Sequence, residues 1–165
     1  LSLSLEQMQT LTGKDLSPTY SYHRLYTTGT ELKKHSDRPS CEISTTLCLG
    51  YDASNVDATI YPDWDWPMFI EEKNGKETAI HMKPGDMIIY RGCELKHWRE
   101  PYWGKNHAQV FLHYNEKNGQ YDIPNDGRPI LGMSSTFRTE QSIEKNESLN
   151  VTENKVVNTS KKIIY

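Results

Sequence analysis

The stretch Leu25-Tyr26-Thr27-Thr28-Gly29-Thr30-Glu31-Leu32-Lys33-Lys34-His35-Ser36-Asp37 ends in a His-x-Asp element. In an extended chain residues i and i+2 point the same way, so His35 and Asp37 present an imidazole and a carboxylate to one side. A third candidate, His97, follows sixty residues beyond Asp37 and can arrive from a distant antiparallel strand. Two neutral imidazoles and one carboxylate make a facial three-ligand set suited to Fe(II), which leaves the opposite face of the octahedron open. His-x-Asp alone is a common pair on ordinary surfaces, and His23, His81, His107 and His113 offer further imidazoles. The order of elements around the pair therefore decides its reading.

That order resembles the prolyl-4-hydroxylase-like branch of the 2-oxoglutarate/Fe(II)-dependent dioxygenases. Tyr26, Gly29, His35 and Asp37 match its Y-x-x-G-x-x-x-x-x-H-x-D stretch. Ile43-Ser44-Thr45-Thr46-Leu47-Cys48-Leu49 looks like the strand that follows. Lys83-Pro84-Gly85-Asp86-Met87-Ile88-Ile89-Tyr90 is similar to the strand before the distal histidine, and His97 stands seven residues past Tyr90. The likeness spans residues 20–115.

The resemblance implies a mainly β, double-stranded β-helix (jelly-roll) fold. It implies Fe(II) held by His35, Asp37 and His97, with 2-oxoglutarate and O2 as co-substrates and ascorbate as an accessory reductant. The implied activity is hydroxylation of a C–H bond of a protein, peptide or small molecule, coupled to decarboxylation of 2-oxoglutarate to succinate. Tyr26 matches the tyrosine that hydrogen-bonds the co-substrate; its other reading is a core aromatic. The far carboxylate needs a cation, for which the branch uses Lys or Arg nine or ten residues past the distal histidine. Ten residues past His97 stands His107, a departure from the pattern. In a strand, His107 shares a face with Gln109, Phe111 and His113. Lys105 and Arg99 are the other cations at hand, with Gln109 as a neutral partner. Trp66 and Trp98 are candidates for lining a substrate pocket, or plain packing residues. Two other readings stand beside this one: a cupin-like metal dioxygenase without 2-oxoglutarate, and a non-catalytic jelly-roll that binds through its Trp/Tyr surface.

Length and charge set the frame. A chain of 165 residues is long enough to bury a core, and its net charge of −3 gives no basic footprint for nucleic acid. No stretch approaches the ~18 apolar residues of a membrane span. Cys41, Cys48 and Cys93 are odd in number and show no C-x-x-C spacing, so neither a disulfide framework nor a structural zinc site is expected, and a reducing, cytoplasmic setting is the default. The sequons at Asn146, Asn150 and Asn158 lie in a tail where Asn, Ser and Thr abound.

Leu5, Met8 and Leu11 recur at helical spacing behind Ser4-Leu5-Glu6-Gln7, which predicts a helix over residues 4–13 opened by a capping box. Strands are expected at 19–26, 42–49, 67–71, 78–82, 86–91 and 107–114, with a hairpin at Asn74-Gly75 and a long loop over 51–66. Residues 1–118 are expected to form the oxygenase domain, with N-terminal scaffold truncated relative to the family. Residues 119–165 form a polar extension, docked or disordered.

Overall fold

The computed structural model describes residues 1–130, 156–158 and 162–164, the last two segments by their backbone strands. The first element is α1 (Ser2–Thr12), followed by β1 (Leu16–Thr27) and the short β2 (Leu32–His35). A 3-10 turn at Pro39–Cys41 leads into β3 (Ile43–Asp52). The hairpin β4 (Met68–Glu71) and β5 (Glu77–Ile80) precedes β6 (Met87–Tyr90), β7 (Lys96–Arg99) and β8 (Asn106–Glu116). After a second 3-10 turn at Pro124–Gly127 come β9 (Val156–Asn158) and β10 (Lys162–Ile164).

Two sheets face each other. The larger has the order β1-β8-β3-β6-β10-β9 and the smaller β2-β7-β4-β5. Up to β8 the chain passes back and forth between them, and each neighbouring pair is antiparallel. This winding is the jelly-roll that the family resemblance implies. It closes most edges by coiling two sheets around one interior. β10 joins β6 in parallel through Ile163 opposite Ile89. The sequons at Asn146 and Asn150, and most of the 119–165 extension, lie outside the described residues.

Period-two burial positions the interior. On β8, His107, Gln109, Phe111 and His113 are buried while Ala108, Val110 and Leu112 are half-buried on the outer face. Between the sheets, Cys48, Met68, Ile70, Ile80, Ile88, Tyr90 and Leu95 form one apolar cluster. Each fully buried aliphatic side chain there contributes roughly 1.5–3 kcal/mol. A second cluster sits outside the larger sheet, where Met8 of α1 packs on Leu16, Ile43, Ile89 and Tyr114. The helix begins two residues earlier than expected. Ser4 is inside it, donating to Leu1 O (3.0 Å) and pairing with Tyr114 Oη (2.8 Å), so it docks the helix and does not cap it.

The smaller sheet contains β2 and β7, neither of which stands out as a strand in the sequence. β2 is only four residues long and mostly polar, because one side faces solvent and the other faces a polar site. Gly29, at φ 83°, makes the turn into β2, a conformation that disfavours a Cβ. Its amide donates to Tyr102 O at 2.7 Å, tying the turn to the loop after β7.

Candidate metal centre

Register brings the ligands together. β2 pairs with β7 so that His35 lies directly opposite His97, with ring centroids 4.4 Å apart. Asp37, just past the end of β2, is pinned by its amide, which donates to Gly92 O at 2.8 Å. One carboxylate oxygen, Oδ1, then lies 3.4 Å from His35 Nε2 and 3.5 Å from His97 Nε2. The three candidate ligand atoms converge within 4.8 Å of one another. His97 is buried, while His35 and Asp37 are partly open.

The imidazoles are oriented by the backbone. His35 Nδ1 lies 2.6 Å from Lys33 O and His97 Nδ1 lies 3.0 Å from Leu95 O. A carbonyl only accepts, so each Nδ1 carries a proton, and each Nε2 faces the Asp37 carboxylate. Burial raises the Asp37 pKa, but hydrogen bonds from His35 and His97 outweigh it and hold the carboxyl well below the usual range. His35 is raised, chiefly by its hydrogen bond to Asp37. Two imidazoles and a carboxylate aimed at one point suit a divalent ion with open positions, whose binding would displace the proton that His35 shares with Asp37.

The other oxygen, Asp37 Oδ2, accepts a hydrogen bond from Ser44 Oγ at 3.0 Å. Gly92 packs against this pair: a Cβ there would lie 2.4 Å from Ser44 Oγ and 2.5 Å from Asp37 Oδ2. Neither Ser44 nor Gly92 is singled out by the sequence, since their roles come from close approach across two sheets. A cavity of about 500 Å³ opens beside the ligands, between Tyr20 and Tyr22 on one side and His35, Asp37, Arg38 and Cys41 on the other.

Deeper in the barrel lies a second polar group. Arg99 follows His97 by two residues on β7 and points the same way, 2% exposed. Its guanidinium donates to Trp66 O (2.8 Å) and Met82 Sδ (3.5 Å) and lies 4.3 Å over the Trp66 ring. No carboxylate among the described residues pairs with it, an uncommon state for a buried cation. Burial lowers the Arg99 pKa to about 10, so it stays charged at neutral pH. Gln109 donates to the same Met82 sulfur at 3.8 Å, and its Oε1 has no partner among the described residues. Tyr26 Oη is likewise buried and unsatisfied.

The remaining sequence candidates are placed as follows. His107 faces the interior, stacked on Tyr51 (5.4 Å) and edge-on to Trp66 (5.1 Å). Burial and then the Arg99 charge push its pKa down to about 4, so it is a neutral imidazole at physiological pH. Lys105 is on the surface, 3.7 Å from Asp52 Oδ2 and donating to Ser54 Oγ at 2.8 Å. Trp98 alternates with His97 and Arg99 and so faces outward, stacked on Phe69 (5.4 Å) beneath Lys34, away from the ligands. Trp66 is buried against Tyr26, Tyr102 and Arg99 and walls the deep group, not the cavity beside His35. His23 is exposed, and His81 is exposed and paired with Asp65.

No protein-family model matches the chain, and no curated protein sequence does so significantly. Solved structures do resemble it. One is an oxidoreductase of the 2OG-Fe(II) oxygenase family from Burkholderia pseudomallei, with TM-score 0.55 and 12% identity over 67% of this chain and 49% of that one. Another is a non-heme monooxygenase, ThoJ, solved as a nickel complex, with TM-score 0.50 and 12% identity over 87% of this chain and 66% of that one. A Pseudomonas putida prolyl-4-hydroxylase matches at TM-score 0.45 and 17% identity, over 71% of this chain and 60% of that one. The chain thus spans between half and two thirds of these neighbours. At such identities the first two establish the fold alone, a jelly-roll. Among the described residues no helix is long and apolar enough to cross a membrane.

Proposed function

We propose that this domain is an Fe(II)- and 2-oxoglutarate-dependent oxygenase that hydroxylates a C–H bond. The observation that carries this reading is the position of Arg99: a buried cation without a carboxylate partner among the described residues, two positions along the same strand face as His97. His35, Asp37 and His97 would hold the iron. Arg99, Gln109 and Tyr26 would receive the far carboxylate of the keto acid, satisfying the orphaned Tyr26 Oη and leaving Gln109 free to reorient. Iron with 2-oxoglutarate supplies the activation of O2 for attack on an unactivated C–H bond.

The chain's own residues bind, orient and exclude water. Lys33 O and Leu95 O keep the two imidazoles aimed. Ser44 and the tight backbone at Gly92 fix the carboxylate plane of Asp37. Trp66, Tyr26 and Tyr102 pack around Arg99 and keep the deep group dry, where a charge-assisted hydrogen bond is strongest. The primary substrate enters by the cavity between Tyr20/Tyr22 and the ligands.

The converging group holds two histidines, fewer than a cupin-type site draws in, and a non-catalytic barrel has no use for a buried unpaired Arg99. The test is succinate formation from 2-oxoglutarate, together with a visible charge-transfer band from anaerobic Fe(II) plus 2-oxoglutarate. A protein that binds iron but gives neither band nor succinate is not this enzyme.

A further inference from the structure

Asp37 is shared with a second group of ligands on its far side. Ser44 Oγ stands between three atoms: Asp37 Oδ2 at 3.0 Å, Cys41 O at 3.0 Å and His113 Nδ1 at 2.9 Å. The hydroxyl has one proton to give, and the carboxylate oxygen and the carbonyl only accept. When Ser44 donates to the carboxylate, the His113 contact must run the other way, from Nδ1–H to Ser44 Oγ. That leaves His113 Nε2 with a bare lone pair. His113 is 2% exposed, and its Nε2 has no hydrogen-bond partner among the described residues. Burial, opposed by Asp37 and aided by Arg38, brings the His113 pKa down to about 4, so the ring stays neutral at physiological pH.

The Cys41 thiol, 2% exposed, belongs to the same place. Ligand atoms of Asp37, Cys41 and His113 lie within 4.8 Å of one another, and Tyr20 Oη is 3.0 Å from Cys41 Sγ. A carboxylate oxygen, a sulfur and an imidazole nitrogen thus converge beside the cavity that Asp37 and Cys41 line. Electron-rich atoms gathered in this way are stabilised by a cation between them.

We propose that Asp37, Cys41 and His113 form a second divalent-cation site, which shares the Asp37 carboxylate with the His35/Asp37/His97 group and is best suited to zinc. The donor set decides the ion: sulfur, imidazole and carboxylate in a compact group match zinc, whereas the sulfur-free group does not select for it. The fourth tetrahedral position faces Tyr20 and the cavity, where the phenol oxygen or a water completes it. On binding, the Cys41 S–H bond breaks, its proton leaves to solvent and an S–Zn bond forms; no electrons are exchanged. Two cations on one carboxylate repel each other, so zinc here weakens iron binding next door. That consequence rests on the proposed iron site, whereas the thiolate site does not.

Cobalt(II) separates the two, because a near-ultraviolet thiolate-to-cobalt band arises only where sulfur binds. Anaerobic titration of the whole chain should take up two equivalents, one of them with the band. Cys41→Ser should lose the band and one equivalent while keeping the other. His113→Asn should weaken the band-bearing equivalent at least about tenfold. Cys93→Ser should change neither, and His35→Ala should keep the band. Cobalt uptake without a band, or a band that survives in Cys41→Ser, overturns the proposal. One equivalent with a Cys41-dependent band upholds it and sinks the iron site instead; one equivalent without a band does the reverse.

Discussion

β7 and β8 both turn alternate side chains into the barrel, yet they furnish it differently. β7 brings His97 and Arg99, a metal-ligating type and a permanent cation. β8 brings His107, Gln109, Phe111 and His113, whose two imidazoles are held neutral by burial. Residue counting from His97 leads to β8 and to His107, and the strand parity of that count matches the structure. Charge does not follow from parity. A guanidinium keeps its proton when dehydrated and an imidazole gives its proton up, so the cation of this interior is on the metal strand.

The largest effect expected is on the metal group itself. Asp37→Ala, and separately His97→Ala, should abolish stoichiometric iron binding in metal analysis while circular dichroism stays β-rich. Retained iron in either variant would remove the proposed site. Next comes Gly92→Ala, whose added methyl meets Ser44 Oγ at 2.4 Å and Asp37 Oδ2 at 2.5 Å. It should weaken metal binding roughly ten- to a hundredfold without removing a ligand.

The strand comparison is tested most directly at the co-substrate. Arg99→Gln should weaken 2-oxoglutarate binding about ten- to a hundredfold, for roughly 1.5–3 kcal/mol of lost charge-assisted hydrogen bonding. His107→Asn should change it less than about threefold, and Lys105→Ala not measurably. Quenching of Trp66, which lies against Arg99, offers a binding readout that needs no turnover. The reverse ranking of Arg99 and His107 would place the anchor on β8.

The smallest effect is on pH-dependent stability. His107 and His113 have folded pKa values depressed below the unfolded value, so the unfolded chain binds protons more readily. Their contribution is complete above about 6.5 and is lost as pH falls toward about 4. Denaturant midpoints should decline across that window, and His107→Asn should flatten part of the slope. An unchanged slope would mean that His107 is more solvated than its burial indicates.

Much of the architecture was legible because it is local. Period-two alternation, the Asn74-Gly75 hairpin and the His-x-Asp element depend on neighbouring residues, and many short strands that must bury one face each point to an all-β sandwich or barrel, which the family resemblance narrows to a jelly-roll. β2 and β7 escaped notice because four residues with one apolar side chain among them carry no alternation to count. Ser44 and Gly92 were invisible for a different reason: each matters through an atom brought within 3 Å from another strand. Trp98 shows the same limit from the other side. It stands next to His97 in sequence and on the opposite face of the sheet.

β2 is the outermost strand of its sheet, joined to β7 alone through Leu32–Arg99 and His35–His97 with an irregularity between them. An ion gripped by His35 and His97 would therefore act as a cross-strand rivet on the least supported edge of the barrel. Without it, this border is the natural place for fraying, and amide exchange over residues 32–37 should fall sharply on metal loading while β3 and β8 hardly change. The barrel would then surrender its ion through a small hinge-like opening of one strand, at a fraction of the cost of unfolding.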